Sequence, residues 1–175
     1  MLNKTIEAAL NDQIKHELES AYLYLSMSAY CQSLSLPGFA HWLRHQYEEE
    51  NGHAMRIYDY VHERGGRVIL QAIAEPKSEF GSPLEVFQQV LEHERRVTGL
   101  INKLYELAVK ENDYATQVML QWFINEQVEE ESTASGIIDQ LKLVGDSGPG
   151  LYKIDRHLGK RGVQEGVYYG SRRDS

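Results

Sequence analysis

Apolar positions recur at steps of three and four along most of the chain, the period of helices that bury one face. Prolines fall between the periodic segments, at Pro37, Pro76, Pro83 and Pro149, and divide the chain into long helices. The first is expected at about residues 5–34 and the second at 37–64, joined by a short "SLPG" turn and stopped by Gly65-Gly66. Ser82, Pro83 and Glu85 supply a cap, a first-turn proline and a capping-box acid, so a third helix begins at 83 and runs to about 111. A fourth spans about 113–144 and ends at "GDSGPG"; a short fifth covers 151–158. The glycine-rich, polar stretch 161–175 is expected to be a flexible tail.

Short turns make neighbouring helices antiparallel. The link at 65–82 is different. At about 3.3 Å per residue its chain can reach about 55 Å, whereas a helix of about 27 residues is about 40 Å long. It can therefore travel the bundle and return the chain parallel to the helix it left. The expected fold is all-α: an antiparallel four-helix bundle over residues 1–160, with one long crossover between helices two and three and a short C-terminal fifth helix. Within the crossover, "RVILQAI" is apolar and β-like. It either pairs with a partner subunit or makes a private contact within the chain.

Every inward stripe is interrupted by polar residues near its midpoint. Helix one reads Leu10, Ile14, Glu17, Ala21, Tyr24; helix two reads Leu43, Gln46, Glu50, His53, Ile57. Helix three reads Val90, Glu94, Val97, Ile101; helix four reads Phe123, Gln127, Glu130, Ala134. Packed side by side, four helices bring Glu17, Glu50, Glu94 and Glu130 to one level. One inward glutamate is ordinarily a paired core charge or a mis-phased stripe, but four at one level are not easily coincidental. Unpaired buried carboxylates are costly, and the stripes carry no Lys or Arg near that level. Two divalent ions balance four carboxylates. Oxygen ligands with one imidazole and no thiolate favour iron or manganese. Glu50 and His53, three apart, share one helix face, and Glu-x-x-His is the helical spacing of di-iron bundles.

Bulk properties narrow the rest. A chain of 175 residues with 42% apolar positions fits one domain with a real core. Its net charge of −8 argues against nucleic acid as partner and suits a surface that attracts cations. One cysteine, Cys31, allows no internal disulfide and no four-cysteine metal knot, and is read as a small core residue. Neither a signal-peptide core nor an apolar run of membrane-spanning length is visible. A soluble, cytoplasmic protein without a membrane partner is expected.

At these residues the chain resembles the ferritins, specifically the bacterial non-heme type. The resemblance covers about residues 1–160 and includes "NDQIKHELESAYLYLSM", "YEEENGHA", "GGRVILQAI", "LEHERRVTGLI" and "FINEQVEEE". It implies a first iron site of Glu17, Glu50 and His53, and a second of Glu50, Glu94 and Glu130, with Glu50 bridging. It also implies Gln127 beside the centre and Tyr24 as the tyrosine next to it, in a catalytic or merely packing role. Glu49, Glu126 and Glu129, with Glu130, match a third iron site; a solvated acidic face is the plainer reading of those three. The resemblance further implies ferroxidase activity, in which O2 oxidises two Fe(II), and a homo-oligomeric shell of 24 subunits that stores ferric mineral for iron homeostasis.

Departures from related families matter too. Where di-iron oxygenases and bacterioferritin carry a second Glu-x-x-His, the chain reads Gln127-Val128-Glu129-Glu130. The second site is therefore expected to be more labile. Asn51 stands where bacterioferritin has its heme-ligating methionine, so no heme is expected there. Positions matched to the acidic threefold pores of animal ferritins read Gln117 and Leu120, so iron is expected to enter near each centre. The remaining histidines are read as surface or packing residues. Two rival functions stay open: a shell subunit with weak iron oxidation of its own, and a di-iron oxygenase.

Overall fold

The computed structural model describes residues 2–161; the tail expected from the sequence lies, from residue 162 onward, outside them. Five helices follow one another: α1 (Lys4–Ser33), α2 (Pro37–Glu63), α3 (Pro83–Lys110), α4 (Tyr114–Val144) and α5 (Gly148–Leu158). Local chemistry sets their ends. Asn3 caps α1, Asp113 caps α4, and Ser82 with Glu85 completes the capping box of α3. Ser147 accepts from the Gly150 N–H, so α5 begins at Gly148, three residues before the sequence suggests. Gly-Pro-Gly there opens a helix, because a proline is tolerated in the first turn. Tight links with Ser35 (φ 59°) and Asn112 (φ 54°) in the left-handed region reverse the chain after α1 and α3.

α1 packs along α2 and α3 along α4, with α1 also against α3. The inward stripes close into two apolar cores. One contains Met27, Phe39, Trp42 and Phe87; the other contains Leu10, Ile57, Ile101 and Phe123. Between them lies a buried polar layer, with Glu17, Glu50, Glu94 and Glu130 each 6% exposed or less.

The crossover, 64–82, runs up the outside of α1. Asn11 donates to Arg67 O and accepts from the Ile69 N–H; further along, Ser26 donates to Lys77 O and Tyr30 to Gly81 O. Those anchors hold its backbone, yet Ile69 and Leu70 remain 58% and 66% exposed. Val68 packs against the second core, so the segment has a private contact at its start, while Ile69 and Leu70 find no such cover among the described residues.

α2 lacks a side-chain cap of its own. Asp155, buried on α5, substitutes: its Oδ1 accepts the Gly38 and Phe39 N–H groups at 2.8 and 3.0 Å. The contact is close enough that a Cβ on Gly38 would fall 1.7 Å from Asp155 O. Helix α5 is thereby locked across the start of α2.

Candidate metal centre

Glu17, Glu50 and His53 offer ligand atoms that all lie within 4.8 Å of one another, and all three side chains are buried. The His53 Nδ1 atom is 3.2 Å from Glu50 Oε2 and 3.9 Å from Glu17 Oε2. Edge-on packing against Trp122 and Phe123 fixes the imidazole plane, and Arg56 covers the outer face of Trp122. Nδ1 therefore faces the gap between the two carboxylates, as a ligand atom must.

Glu94 and Glu130 complete the layer from the α3–α4 side. Each is held by neutral donors. Tyr24 donates its phenolic hydrogen to Glu94 Oε1, and Gln127 Nε2 donates to Glu94 Oε2 at 3.1 Å. Gln46 donates to Glu130 Oε2 at 2.9 Å, and Gln13 donates to Glu17 Oε1 at 2.7 Å. Among the described residues the close three-residue set is confined to Glu17, Glu50 and His53. Glu50, Glu94 and Glu130 line the same layer but stand further apart. Like charges repel, and each of these two carboxylates is held by donors on neighbouring helices, Glu94 by Tyr24 of α1 and Gln127 of α4, Glu130 by Gln46 of α2.

The electrostatics follow from that burial. Desolvation, and then the Glu50 charge, raise Glu17 well above the usual carboxylate range. Desolvation first and the Glu94 charge next do the same to Glu50. Burial raises Glu94 and pushes Glu130 up to about 7. Burial also raises the Tyr24 phenol well above its ordinary value, so it stays a proton donor. Among the described residues no Lys or Arg forms an ion pair with any of these four carboxylates. A buried layer of carboxylates that pairs with no Lys or Arg among the described residues suits cations of hard or borderline character.

The outer acids are less concentrated. Glu49 and Glu126 are half-buried and Glu129 is exposed. Burial raises Glu126. Glu49 already has a partner: Arg161 Nη2 lies 2.7 Å from its Oε2, and His45 Nδ1 lies 3.5 Å away.

Several neighbours escape a reading by stripes. Arg161 sits beyond α5 and reaches the layer's edge from outside all four stripes. Gln13 stands one turn before Glu17, and an amide at that spacing was the available signal. His93, half-buried, bonds Ser20 Oγ at 2.7 Å and packs edge-on against Tyr24, with desolvation pulling its ring down to about 4. It belongs with the packing histidines. Leu120 is fully buried in the core, so it cannot line a pore, and the pore correspondence drawn for it fails. Gly52 is exposed with open space where a side chain would be, so it accommodates no close neighbour within the chain.

A family model of the ferritin-like domain matches residues 7–144. A bacterial non-heme ferritin of Bacteroides fragilis is 45% identical over 161 residues, covering 92% of this chain and all of that protein. One from Staphylococcus epidermidis is 45% identical over 165 residues, 94% of this chain and 99% of that protein. The open-pore ferritin of the hyperthermophilic archaeon Archaeoglobus fulgidus superposes with a TM-score of 0.91 at 48% identity, over 92% of this chain and 99% of that one. The chain belongs to the ferritin family, as a bacterial non-heme ferritin.

Proposed function

We propose that the protein stores iron and oxidises it on the way in. Iron is the substrate. One Fe(II) binds at Glu17, Glu50 and His53, and a second between Glu50, Glu94 and Glu130, with Glu50 shared. Two ions side by side deliver one electron each to the same O2, a two-electron step that a single ferrous ion cannot supply. The observation that carries this reading is the buried carboxylate layer, which pairs with no Lys or Arg among the described residues. Its assembly is costly unless metal enters it.

The chain's own residues set the chemistry of exchange. Tyr24 and Gln127 hold Glu94 from one side, and Gln46 holds Glu130. Because Gln127-Val128-Glu129-Glu130 supplies no histidine, the second site has no imidazole, so its ion is held by oxygen alone and leaves more readily as ferric product. Glu49, Glu126 and Glu129 offer a flanking third position. Their partial exposure suits passage of ions between centre and surroundings.

The exposed Ile69 and Leu70 support burial of the crossover between subunits, and the ferritins it matches support a homo-oligomeric shell, which we take to be of 24 subunits around a ferric mineral. Among the described residues no helix is long and apolar enough to cross a membrane. The test is to add Fe(II) anaerobically to the apo-protein, admit O2, and follow ferric absorbance together with particle mass. Rapid oxidation and a particle that gains iron far beyond two ions per chain are expected. A small oligomer that keeps about two ions per chain and forms no mineral would instead indicate a di-iron oxygenase.

A further inference from the structure

Arg161 makes four separate contacts around one edge of the carboxylate layer. Its Nη1 donates to the buried Gln46 Oε1, and its Nη2 donates to Glu49 Oε2 at 2.7 Å. Its guanidinium lies 4.7 Å above the Trp42 ring. Its carbonyl accepts from the His41 Nε2–H at 2.8 Å. The placement is built. Asp155 clamps α5 to the start of α2, and Arg161 follows that helix by one turn. Gln46 then links it to the centre, because the same amide that accepts from Arg161 donates to Glu130 at 2.9 Å.

A guanidinium in this position has a consequence for metal. Arg is always charged and prefers planar pairing with carboxylates. A divalent ion that takes Glu49 as ligand meets a resident cation already paired with it. The two positive charges repel across a few ångströms in a partly desolvated setting. One of them must move.

We propose that Arg161 is a tethered counter-cation of the outer acidic position: it occupies Glu49 while that position is empty and is displaced when a metal ion binds there. This rests on the iron-centre reading above and adds a control to it. Competition with Arg161 keeps the third position weak, so an ion there is in transit. Reciprocity requires that the ion, by taking Glu49, also loosens the contacts that hold the end of α5.

Zinc, which binds without redox chemistry, gives the test on the assembled protein. Calorimetry of the wild-type protein should resolve about two tight ions per chain and a weaker third class. In R161Q the third class should tighten about tenfold, equivalent to about 1.4 kcal/mol, with the two tight sites unchanged. The E49Q variant should lose the third class, and R161Q should then change nothing. A second measurement needs no substitution at Arg161. Saturating zinc should speed amide hydrogen exchange at residues 159–161 of the wild-type protein, but not of E49Q. An unchanged or weakened third class in R161Q, or exchange at 159–161 that zinc leaves alone or slows, overturns the proposal. Two tight zinc ions with no Arg161 effect would remove this inference and leave the iron centre standing; absence of tight zinc altogether would remove both.

Discussion

Tyr24 on α1 donates its phenolic hydrogen to Glu94 on α3, across the middle of the bundle. The bond joins the two halves of the polar layer. It also exemplifies how that layer is held without cations: Gln13 serves Glu17, Gln127 serves Glu94 and Gln46 serves Glu130. Neutral donors satisfy a carboxylate oxygen while leaving its negative charge available to an incoming ion. Replacing Tyr24 with Phe should cost about 1 kcal/mol in the metal-free protein, read as a lower midpoint in thermal denaturation. Two zinc ions should still bind per chain, and iron oxidation should slow, because Glu94 then has one fewer group fixing its position.

The buried acids make the metal-free protein sensitive to pH in an unusual direction. Burial pushes Glu130 up to about 7 and lifts Glu17 and Glu50 well above the usual range. The folded state therefore holds protons that the unfolded chain has released, and the stability this confers is lost as pH rises through the folded values. From about pH 6.5 to about pH 7, where Glu130 still gives up its proton, chelator-treated protein should melt at progressively lower temperature. His93, held down at about 4, opposes this trend only below its unfolded value of 6.5, outside that window. Metal must displace the retained protons, so zinc should stabilise more at the upper end. Calorimetric scans with and without zinc check both slopes; a chelated protein that gains stability between about pH 6.5 and about pH 7 contradicts this linkage.

By the same logic E94Q should stabilise the metal-free protein, since a neutral amide replaces a buried acid of similar shape. The gain should disappear when zinc is added, because the second ion has lost a ligand. Thermal midpoints in chelator and in zinc should therefore cross between wild type and variant.

The clamp between α2 and α5 should be separable from the centre. Gly38→Ala places a Cβ against Asp155 O and should cost about 1–3 kcal/mol by overpacking. Asp155→Ala removes the borrowed cap of α2 and should cost about 1 kcal/mol. Both should leave two tight zinc ions in place, measured by calorimetry. Loss of those ions would mean that α5 shapes the centre directly.

Much of this was legible in the sequence because it repeats with the helical period. Glu17, Glu50, Glu94 and Glu130 announce themselves as polar breaks in apolar stripes, and the structure buries all four at one level. Ser82 and Glu85 announce the start of α3 just as directly. What periodicity cannot show is contact between elements distant along the chain. Asp155 accepts the Gly38 N–H from 117 residues away, and Arg161 reaches Glu49 from 112 residues away. Neither lies on a stripe. Leu120 failed for the opposite reason: its position was borrowed from another protein, whereas its own environment is apolar core. The separation of Glu94 and Glu130 from Glu50 was likewise invisible, since it depends on which donors each carboxylate finds.

In the proposed function the layer binds two ions that share Glu50. Anomalous diffraction from crystals soaked anaerobically in Fe(II), recorded at the iron edge, tests it most directly. Two peaks per chain are expected, about 3.5–4 Å apart, one bounded by Glu17, Glu50 and His53 and the other by Glu50, Glu94 and Glu130. A single peak inside the bundle, or iron confined to the exposed acids with the layer empty, would contradict it.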